Sequence, residues 1–465
     1  MQLTKNNPVS VAISEVAFGG AGIGKIQNGE KEFVVFVEDT IPGDEVIVNL
    51  TRIKKNYAEG RVREFIKRSD LRIAPRCKHF DTCGGCTFQY LDYKNQLRIK
   101  EKQVRDSVER IGGLKNVDFK PIIGCGNPWY YRNKMEYSFG EVDGNLSIGL
   151  HLPKRFADIF ELDECFLQSE KSVDILKSVR DWARDKKLTS YNTFTKSGLL
   201  KSLTIREGKN TGEVMVNLTV NGNEQFDEVQ SLVQLFEDAT VLGVTSLYWT
   251  SVEIARGHAT RQTEHHISGK EYLTEKLNIT GTGVAAPDVA LYFDIHPQAF
   301  FQTNTKQAEV LYGQVLKLAE AKKTDVVYDL FCGTGTIGMC FAATCQSVYG
   351  IEINKWAIDN ARENATRNNL TNIEFLCADV GEVNSDQSIS KPTIVVVDPP
   401  RAGITPKSLE KIIELNPKKI IYVSCNPTTF ARDAKILSAK YTLKTVQPVD
   451  MFPQTYHVET IGVFL

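Results

Sequence analysis

The chain has 465 residues, of which 42% are hydrophobic and 24% are charged, and its formal net charge is −1. This composition is typical of a globular protein, and the length predicts two or three domains that each bury a core. No stretch approaches the roughly 20 apolar residues of a membrane span, and the N-terminus lacks the apolar core of a signal peptide, so we expect a cytoplasmic protein without a membrane partner.

Residues 1–66 alternate short apolar strands with turns, which predicts a small β-barrel of the OB type. The glycine-rich stretch 19–24 is expected to be a turn between two of these strands. Barrels of this type commonly bind single-stranded nucleic acid. From Thr51 to Lys78 there are ten Lys and Arg residues against three acids. This excess indicates either a solvated face or a surface that follows a phosphate backbone.

The next segment, residues 67–277, begins with a group of cysteines. Ten cysteines in a reducing compartment are not expected to form a disulfide framework, which favours metal-binding or catalytic roles. Cys77, Cys83, Cys86 and Cys165 would supply four thiolates, which hold either zinc or a [4Fe-4S] cluster. The spacing alone leaves both metals open.

The rest of this segment mixes helices and strands. A helix is predicted from Lys94 to Ile111, because apolar residues recur along one side. Strand patterns return from Ile122 to about Gly269, and a helix from about Ser169 to Lys187 interrupts them. The segment therefore reads as an α+β domain.

Residues 278–465 alternate strands with helices, the pattern of a doubly wound, Rossmann-like parallel sheet. A glycine-rich turn at 331–338 follows the first strand, where backbone can approach a ligand. Glu352 ends the second strand and is expected to accept ribose hydroxyls, while Asp379, after the third, is expected to bind an adenine amino group. The carboxylate of Asp329 would repel a pyrophosphate but attract a sulfonium, which favours S-adenosylmethionine over a dinucleotide.

Two further motifs follow apolar strands, and both are expected at the ligand-binding edge of the sheet. Asp398-Pro399-Pro400-Arg401 follows one strand, and Ser424-Cys425-Asn426-Pro427 follows the next. A thiolate that adds to carbon 6 of a uracil activates carbon 5 for methylation, and a base must then remove the carbon 5 proton. We expect Cys425 to be this nucleophile, with its pKa lowered by the following helix. Glu459 is the expected base, and Asp398 the acceptor for the ring imide.

From end to end, the chain resembles the RNA uracil-C5 methyltransferases of the bacterial ribosomal-RNA type. The four cysteines, Asp-Pro-Pro-Arg, Ser-Cys-Asn-Pro and His-Val-Glu (457–459) carry the resemblance. It implies a TRAM domain at 1–66, a [4Fe-4S] cluster on the four cysteines, and packing of the helix at 94–111 on the catalytic domain. It implies that Cys425 and Glu459 are catalytic, and that the residues binding S-adenosylmethionine are Gln302, Phe331, Thr336, Glu352, Asp379 and Asp398. In one departure, Gln454 stands where the family often has a histidine, so it keeps hydrogen bonding but cannot titrate.

The expected activity is therefore methylation of carbon 5 of a uridine in RNA, with 23S ribosomal RNA as the favoured substrate and a monomer as the expected form. One alternative is the same reaction on transfer RNA. A second is an iron–sulfur RNA-binding protein without catalysis. Phe88 and Tyr90 are candidates to stack on neighbouring nucleotides, with core packing as the alternative.

Overall fold

The structure, a computed structural model, describes all residues except 1–2, 6–7, 29–30, 223–225, 239–241, 254–259, 281–287 and 384–389. The chain forms two compact units. Unit 1 contains Met1–Arg76, Cys86–Pro128 and Val396–Leu465, and unit 2 contains Cys77–Gly85 and Trp129–Val395. Each unit gathers separate stretches of chain, so the three domains expected from the sequence stay a prediction.

The strands are, in chain order, β1 (Val9–Val16), β2 (Gly22–Asn28), β3 (Lys31–Val37), β4 (Glu45–Ile53), β5 (Tyr57–Lys67), β6 (Asp118–Phe119), β7 (Lys134–Val142), β8 (Asn145–Leu152), β9 (Arg155–Glu161), β10 (Leu200–Glu207), β11 (Val214–Asn221), β12 (Ser246–Glu253), β13 (Arg261–Gly269), β14 (Leu273–Ile279), β15 (Val289–Ile295), β16 (Val326–Leu330), β17 (Ser347–Glu352), β18 (Ile373–Cys377), β19 (Ile394–Val397), β20 (Lys419–Ser424), β21 (Leu443–Val449) and β22 (Glu459–Phe464). The α-helices are α1 (Tyr93–Asp106), α2 (Glu170–Asp185), α3 (Val229–Asp238), α4 (Thr305–Ala319), α5 (Thr336–Ala342), α6 (Lys355–Arg367), α7 (Pro406–Leu415) and α8 (Pro427–Leu437). No α-helix in the described part of the chain has the length and apolar character needed to cross a membrane.

Unit 1 begins with a closed five-stranded barrel in the order β1-β2-β3-β5-β4, which confirms the barrel expected from the sequence. Its core is built from alternate strand residues such as Val35, Val46 and Val48, as the two-residue period of a strand requires. The glycine-rich stretch is only partly a turn, because Gly22 and Gly24 lie in β2. The antiparallel pairing of β1 with β2 extends to Gly22, which leaves only the residues before it for the turn.

The helix predicted at 94–111 is present in unit 1 as α1 followed by a π-helical turn, Ser107–Ile111. Asp92 caps it, because its carboxylate accepts the backbone N–H of Asn95 at 2.8 Å. The side chain of Gln103 donates to the barrel carbonyls of Val16 and Ala17 at 3.2 and 2.9 Å. The π-helical turn packs against α8.

Unit 2 contains a seven-stranded sheet in the order β13-β12-β11-β10-β7-β8-β9. Helix α2 packs on β8 and contributes Ile175, Leu176 and Val179 to the apolar core. The strands of this sheet pair antiparallel, apart from the parallel pair β11–β12. A mainly antiparallel sheet with a helix packed on it agrees with the α+β character that the sequence predicted.

The Rossmann-like pattern of alternating strands and helices is confirmed within each unit. In unit 2, β16, β17 and β18 are parallel neighbours, and Thr393 pairs with Val326, so β19 begins beside β16. In unit 1, the end of β19 is followed by β20, β22, β21 and β6 in spatial order. Strand β22 is antiparallel to both β20 and β21.

Candidate active site

Three of the side chains predicted to take part in chemistry lie together in unit 1. Asp398 directly follows β19, and Cys425 directly follows the neighbouring strand β20. Glu459 opens β22, and the pairing of Ser424 with Thr460 places Glu459 beside Cys425 in the next position of the ladder. The topology therefore brings a thiol and two carboxyl groups to one edge of the sheet.

Asn426 fixes the backbone that carries Cys425. Its side-chain oxygen accepts the N–H and the hydroxyl of Thr428 at 3.0 and 2.7 Å, which caps α8, and Pro427 occupies the first turn. The Asn426 amide group also donates to the carbonyl of Arg401 at 3.3 Å. The Asp-Pro-Pro-Arg and Ser-Cys-Asn-Pro segments are thus tied directly to each other.

A second support for these segments is Asp433, whose side chain is fully buried. Its carboxylate accepts the N–H of Ile404 and the hydroxyl of Tyr422, each at 2.8 Å, and pairs with Arg432 Nε at 2.8 Å. Gly403 has a φ of +80°, and a Cβ there would lie 2.6 Å from Asp433 Oδ2. The sequence analysis did not identify Asp433, because a single acidic residue within a helix belongs to no recognisable motif.

The two carboxyl groups of the site resist ionisation. Burial raises the pKa of Asp398 to about 7. Burial, followed by the charge of Asp398, raises the pKa of Glu459 well above its usual value, and Arg401 opposes this only in part. Glu459 is 3% exposed, in line with the partly apolar setting expected for a base. Because two adjacent carboxylates disfavour each other's charge, the pair retains a proton near neutral pH.

The thiol of Cys425 does not have the lowered pKa expected from the sequence. Burial raises its pKa to about 12, and the charges of Glu459 and Asp398 act in the same direction, with Arg401 opposing them. The expectation was wrong because burial and two acidic neighbours outweigh the partial positive charge of a helix N-terminus. Cys425 is therefore a protonated thiol in the resting protein.

The segment before Glu459 is shaped by Gln454, which has a φ of +68° and is 2% exposed. Gln96 and Gln454 exchange two hydrogen bonds, each at 2.9 Å. The carbonyl of Gln454 also accepts the N–H groups of Thr87 and Phe88 at 2.9 and 3.0 Å. The expectation that Gln454 keeps hydrogen bonding is confirmed, and its partners show that it fastens this segment to the start of α1.

A buried ion pair fixes the start of the segment 450–458, which precedes Glu459. Lys100 Nζ lies 2.6 Å from Asp450 Oδ1, and both side chains are fully buried. Tyr93 donates its hydroxyl to Asp450 Oδ2 at 2.8 Å, and Lys100 also donates to the carbonyl of Phe452 at 3.0 Å. Burial lowers the pKa of Lys100, whereas Asp450 favours the charged form. Sequence analysis missed this pair because its members are 350 residues apart.

In unit 2, the glycine-rich turn after β16 has the geometry of a ligand-binding loop. Phe331 has a φ of +61°, a left-handed conformation that is uncommon for a residue other than glycine and strained for a bulky one. Gly335 has a φ of +75°, and a Cβ there would lie 2.4 Å from the ring of Phe375. The carboxylate of Asp329 accepts the N–H of Gly338 at 2.7 Å, so it also orients the first turn of α5.

Four more of the residues expected to bind the cofactor lie in unit 2. Glu352 accepts the N–H groups of Gly333 and Asn354 at 3.3 and 2.9 Å. Asp379 is exposed and accepts the N–H of Gly381 at 2.7 Å. The carbonyl of Gln302 accepts a hydrogen bond from Asn133 at 2.8 Å, and Thr336 opens α5. Asp398, the sixth of these residues, belongs to unit 1.

The cysteines expected to bind a metal are divided between the units. Cys77, Cys83 and Cys165 belong to unit 2 and influence one another electrostatically, and Cys86 belongs to unit 1. The N–H of Gly85 donates to Cys83 Sγ at 3.3 Å. Among the described residues, no group of three or more His, Cys, Asp or Glu side chains has the arrangement of a metal-binding site.

The two aromatic residues considered for nucleotide stacking are core residues. Phe88 is fully buried and Tyr90 is 8% exposed. Arg72 lies 4.7 Å from the ring centre of Tyr90 and forms an ion pair with the buried Asp44 at 2.6 Å. Core packing is therefore the correct reading for both rings, and this part of the basic segment has a structural role.

Comparison with known proteins gives matches along the whole chain. A family model described as tRNA (Uracil-5-)-methyltransferase matches residues 252–465, and a model of the TRAM domain matches residues 3–62. An RNA methyltransferase of Caldanaerobacter subterraneus subsp. tengcongensis is 37% identical, over 99% of this chain and 99% of its own. An RNA methyltransferase of Halalkalibacterium halodurans is 34% identical, over 99% of this chain and 97% of its own.

A solved structure resembles almost the entire fold. It is the Pyrococcus abyssi tRNA (uracil-54, C5)-methyltransferase in complex with S-adenosyl-L-homocysteine. Its sequence is 28% identical, the match covers 98% of this chain and 100% of that chain, and the TM-score is 0.74.

The coupling between Cys425 and the carboxyl pair predicts how the thiol reacts. Asp398→Asn removes the acidic neighbour that ionises with a pKa of about 7, so the pKa of Cys425 should fall and the thiolate fraction at mildly alkaline pH should rise. Alkylation by iodoacetamide should become about three- to tenfold faster, corresponding to a pKa decrease of up to about one unit. Labelling is quantified at Cys425 by peptide mass spectrometry, with the exposed Glu414→Gln as the matched control. A rate equal to that of the unsubstituted protein would contradict the coupling.

Proposed function

Because the chain belongs to the RNA uracil-5 methyltransferase family, with an N-terminal TRAM domain, we propose that it methylates carbon 5 of a uridine in 23S ribosomal RNA. The observation that carries the chemistry is the position of Cys425 beside Glu459 and Asp398 at one sheet edge. S-adenosylmethionine is the methyl donor of the family. The residues proposed to bind it are Gln302, Phe331, Thr336, Glu352, Asp379 and Asp398.

In the proposed reaction, the sulfur of Cys425 adds to carbon 6 of the uracil. The thiol must lose its proton for this step, and the ionised member of the Asp398–Glu459 pair accepts it and passes it to solvent. Carbon 5, now part of an enolate, takes the methyl group from the sulfonium. With the retained proton of the pair on Asp398, the ionised Glu459 then removes the carbon 5 proton. The carbon–sulfur bond breaks, which releases the thiolate of Cys425 and restores the double bond between carbon 5 and carbon 6.

The choice of ribosomal RNA rests on the resemblance of the motifs to the ribosomal-RNA type. Transfer RNA is the second candidate, since the Pyrococcus abyssi enzyme named above acts on tRNA. The partly buried thiol of Cys425 beside the buried carboxyl group of Glu459 argues against an RNA-binding protein without catalysis. In either RNA, the target base must leave its stack to reach Cys425, which favours single-stranded loops.

The substrate is tested by methyl transfer from labelled S-adenosylmethionine into separated, unmodified ribosomal and transfer RNA. Mass spectrometry of the nucleosides identifies the product. We expect 5-methyluridine in ribosomal RNA. Label in transfer RNA alone would support the same reaction with transfer RNA as the substrate. Label in neither RNA would contradict the proposed function. Cys425→Ala is the inactive control.

The covalent step predicts different outcomes for the two catalytic substitutions. With Glu459→Gln, sulfur addition and methylation proceed but the carbon 5 proton stays, so a protein–RNA adduct should accumulate. It should appear as a slowly migrating band on a denaturing gel. Cys425→Ala should abolish turnover while RNA binding persists, and the double variant should form no adduct. A band that appears in the double variant and is missing from Glu459→Gln would rule out this mechanism.

We further propose that Cys77, Cys83, Cys86 and Cys165 hold a [4Fe-4S] cluster, which has no step in methyl transfer. Support comes from the family resemblance, from the electrostatic influence among three of these thiols, and from the N–H of Gly85 that points to sulfur. Protein purified without oxygen should contain about four iron and four sulfide per chain. Cys83→Ser should lower both, and Cys345→Ser, at a buried thiol elsewhere, should leave them unchanged. Protein that contains zinc and neither iron nor sulfide would contradict the cluster and identify a zinc site on these cysteines.

A further inference from the structure

A short hairpin in unit 2 presents one strongly exposed aromatic side chain. The hairpin spans residues 190–199, just before β10, and we call it the Phe194 hairpin. The side chain of Phe194 is 81% exposed at its tip. Isolated apolar residues on a surface are common, so exposure by itself carries no conclusion. The backbone and the charge around this ring are what distinguish it.

The turn that carries Phe194 is held by its own hydrogen bonds. The side-chain oxygen of Asn192 accepts the N–H groups of Phe194 and Thr195 at 2.9 and 3.1 Å. The N–H of Asn192 donates to the carbonyl of Ser197, and the N–H of Lys196 donates to the carbonyl of Asn192, both at 2.8 Å. The aromatic ring is therefore displayed on an ordered turn, so a ligand would not need to order this backbone on binding.

The base of the hairpin is fixed to the central sheet of unit 2. Tyr191 donates its N–H to the carbonyl of Leu200, the first residue of β10, at 2.7 Å. Gly198 has a φ of +99°, and a Cβ there would lie 2.0 Å from the carbonyl oxygen of Ser190. The two sides of the hairpin therefore pack closely at its base, and the hairpin is attached to β10 by backbone contacts.

The charged side chains of the segment that carries the hairpin all have one sign. Residues 186–201 contain four lysines and no Asp or Glu. Lys187 and Lys196 are exposed, and Lys201 Nζ lies 3.7 Å from the ring centre of Tyr191. Lys186 is 3.5 Å from Glu228, which leaves the other lysines to set the local charge. An exposed aromatic ring among cations matches a nucleic acid, which offers unpaired bases and phosphates together.

We propose that the Phe194 hairpin is an RNA-binding element, in which Phe194 stacks on an unpaired base and Lys187 and Lys196 contact phosphates. This inference rests on the proposed function, because it takes RNA as the substrate. RNA is favoured over a protein partner since residues 186–201 contain no acids and Phe194 is the one large apolar side chain that the hairpin strongly exposes. The hairpin would add affinity and leave the chemistry of Cys425 unaltered.

The test is steady-state methylation of unmodified ribosomal RNA by the full-length protein with Phe194→Ala, Phe194→Tyr or Thr193→Ala. Loss of one base–aromatic stack should raise KM by about tenfold for Phe194→Ala, with kcat unchanged. Phe194→Tyr keeps an aromatic face and should restore KM to within about twofold. Thr193→Ala removes a neighbouring exposed side chain and is the matched control. Lys196→Ala should make the dependence of log Kd on log salt less steep in filter binding.

The outcomes separate this inference from the function on which it rests. If the unsubstituted protein forms no 5-methyluridine in any RNA, the proposed function fails first. If it does, and Phe194→Ala has an unchanged KM, the hairpin is not an RNA-binding element. An unchanged Kd for protein-free RNA with lost methylation of ribosomal particles would identify a protein partner and overturn the proposal as well. Equal melting temperatures for all variants show that a KM change does not reflect unfolding.

Discussion

The sheet edge of unit 1 that carries Asp398, Cys425 and Glu459 depends on buried carboxylates. Each of these carboxylates accepts hydrogen bonds from more than one segment of the chain. Asp433 accepts hydrogen bonds from the loop after Arg401 and from β20, and Asp450 binds Lys100 and Tyr93 of α1. A buried carboxylate without such partners costs several kcal/mol, so each one forces the segments around it into a single arrangement. The positions of the loops that carry Cys425 and Glu459 follow from this requirement.

The same burial sets the chemistry of the site. Burial raises the pKa of Asp398, Glu459 and Cys425, and the charges of the two carboxyl groups raise the pKa of the Cys425 thiol further. A low-pKa cysteine would be open to oxidation and to wrong electrophiles. The protonated thiol of Cys425 instead lies beside Asp398, whose carboxyl group has a pKa of about 7.

Much of the fold was readable from local patterns. The barrel strands, the helix from Lys94, and the strands that end at Leu330 and Glu352 all have strong periodicity and clear turn residues, and the structure places them close to the predicted bounds. Strands β13, β14 and β15 were not named from the sequence, although in β15 the buried Leu291, Phe293 and Ile295 alternate with more exposed residues. The glycine-rich stretch 19–24 was predicted to be a turn along its whole length. Gly22 and Gly24 instead lie in a crowded strand, where a Cβ would clash with Thr40 and Val11 respectively.

The sequence by itself determined the family, the candidate nucleophile and base, and the loops that carry them, because motifs such as Ser-Cys-Asn-Pro and Asp-Pro-Pro-Arg are short-range features of the chain. Only the tertiary structure decided the protonation state of Cys425, the structural roles of Phe88 and Gln454, and the supports supplied by Asp433 and Lys100. These properties arise from burial and from contacts between residues as far as 350 positions apart, and no local pattern records them. A pKa, in particular, depends on what surrounds a group in space, which the order of residues along a chain does not specify.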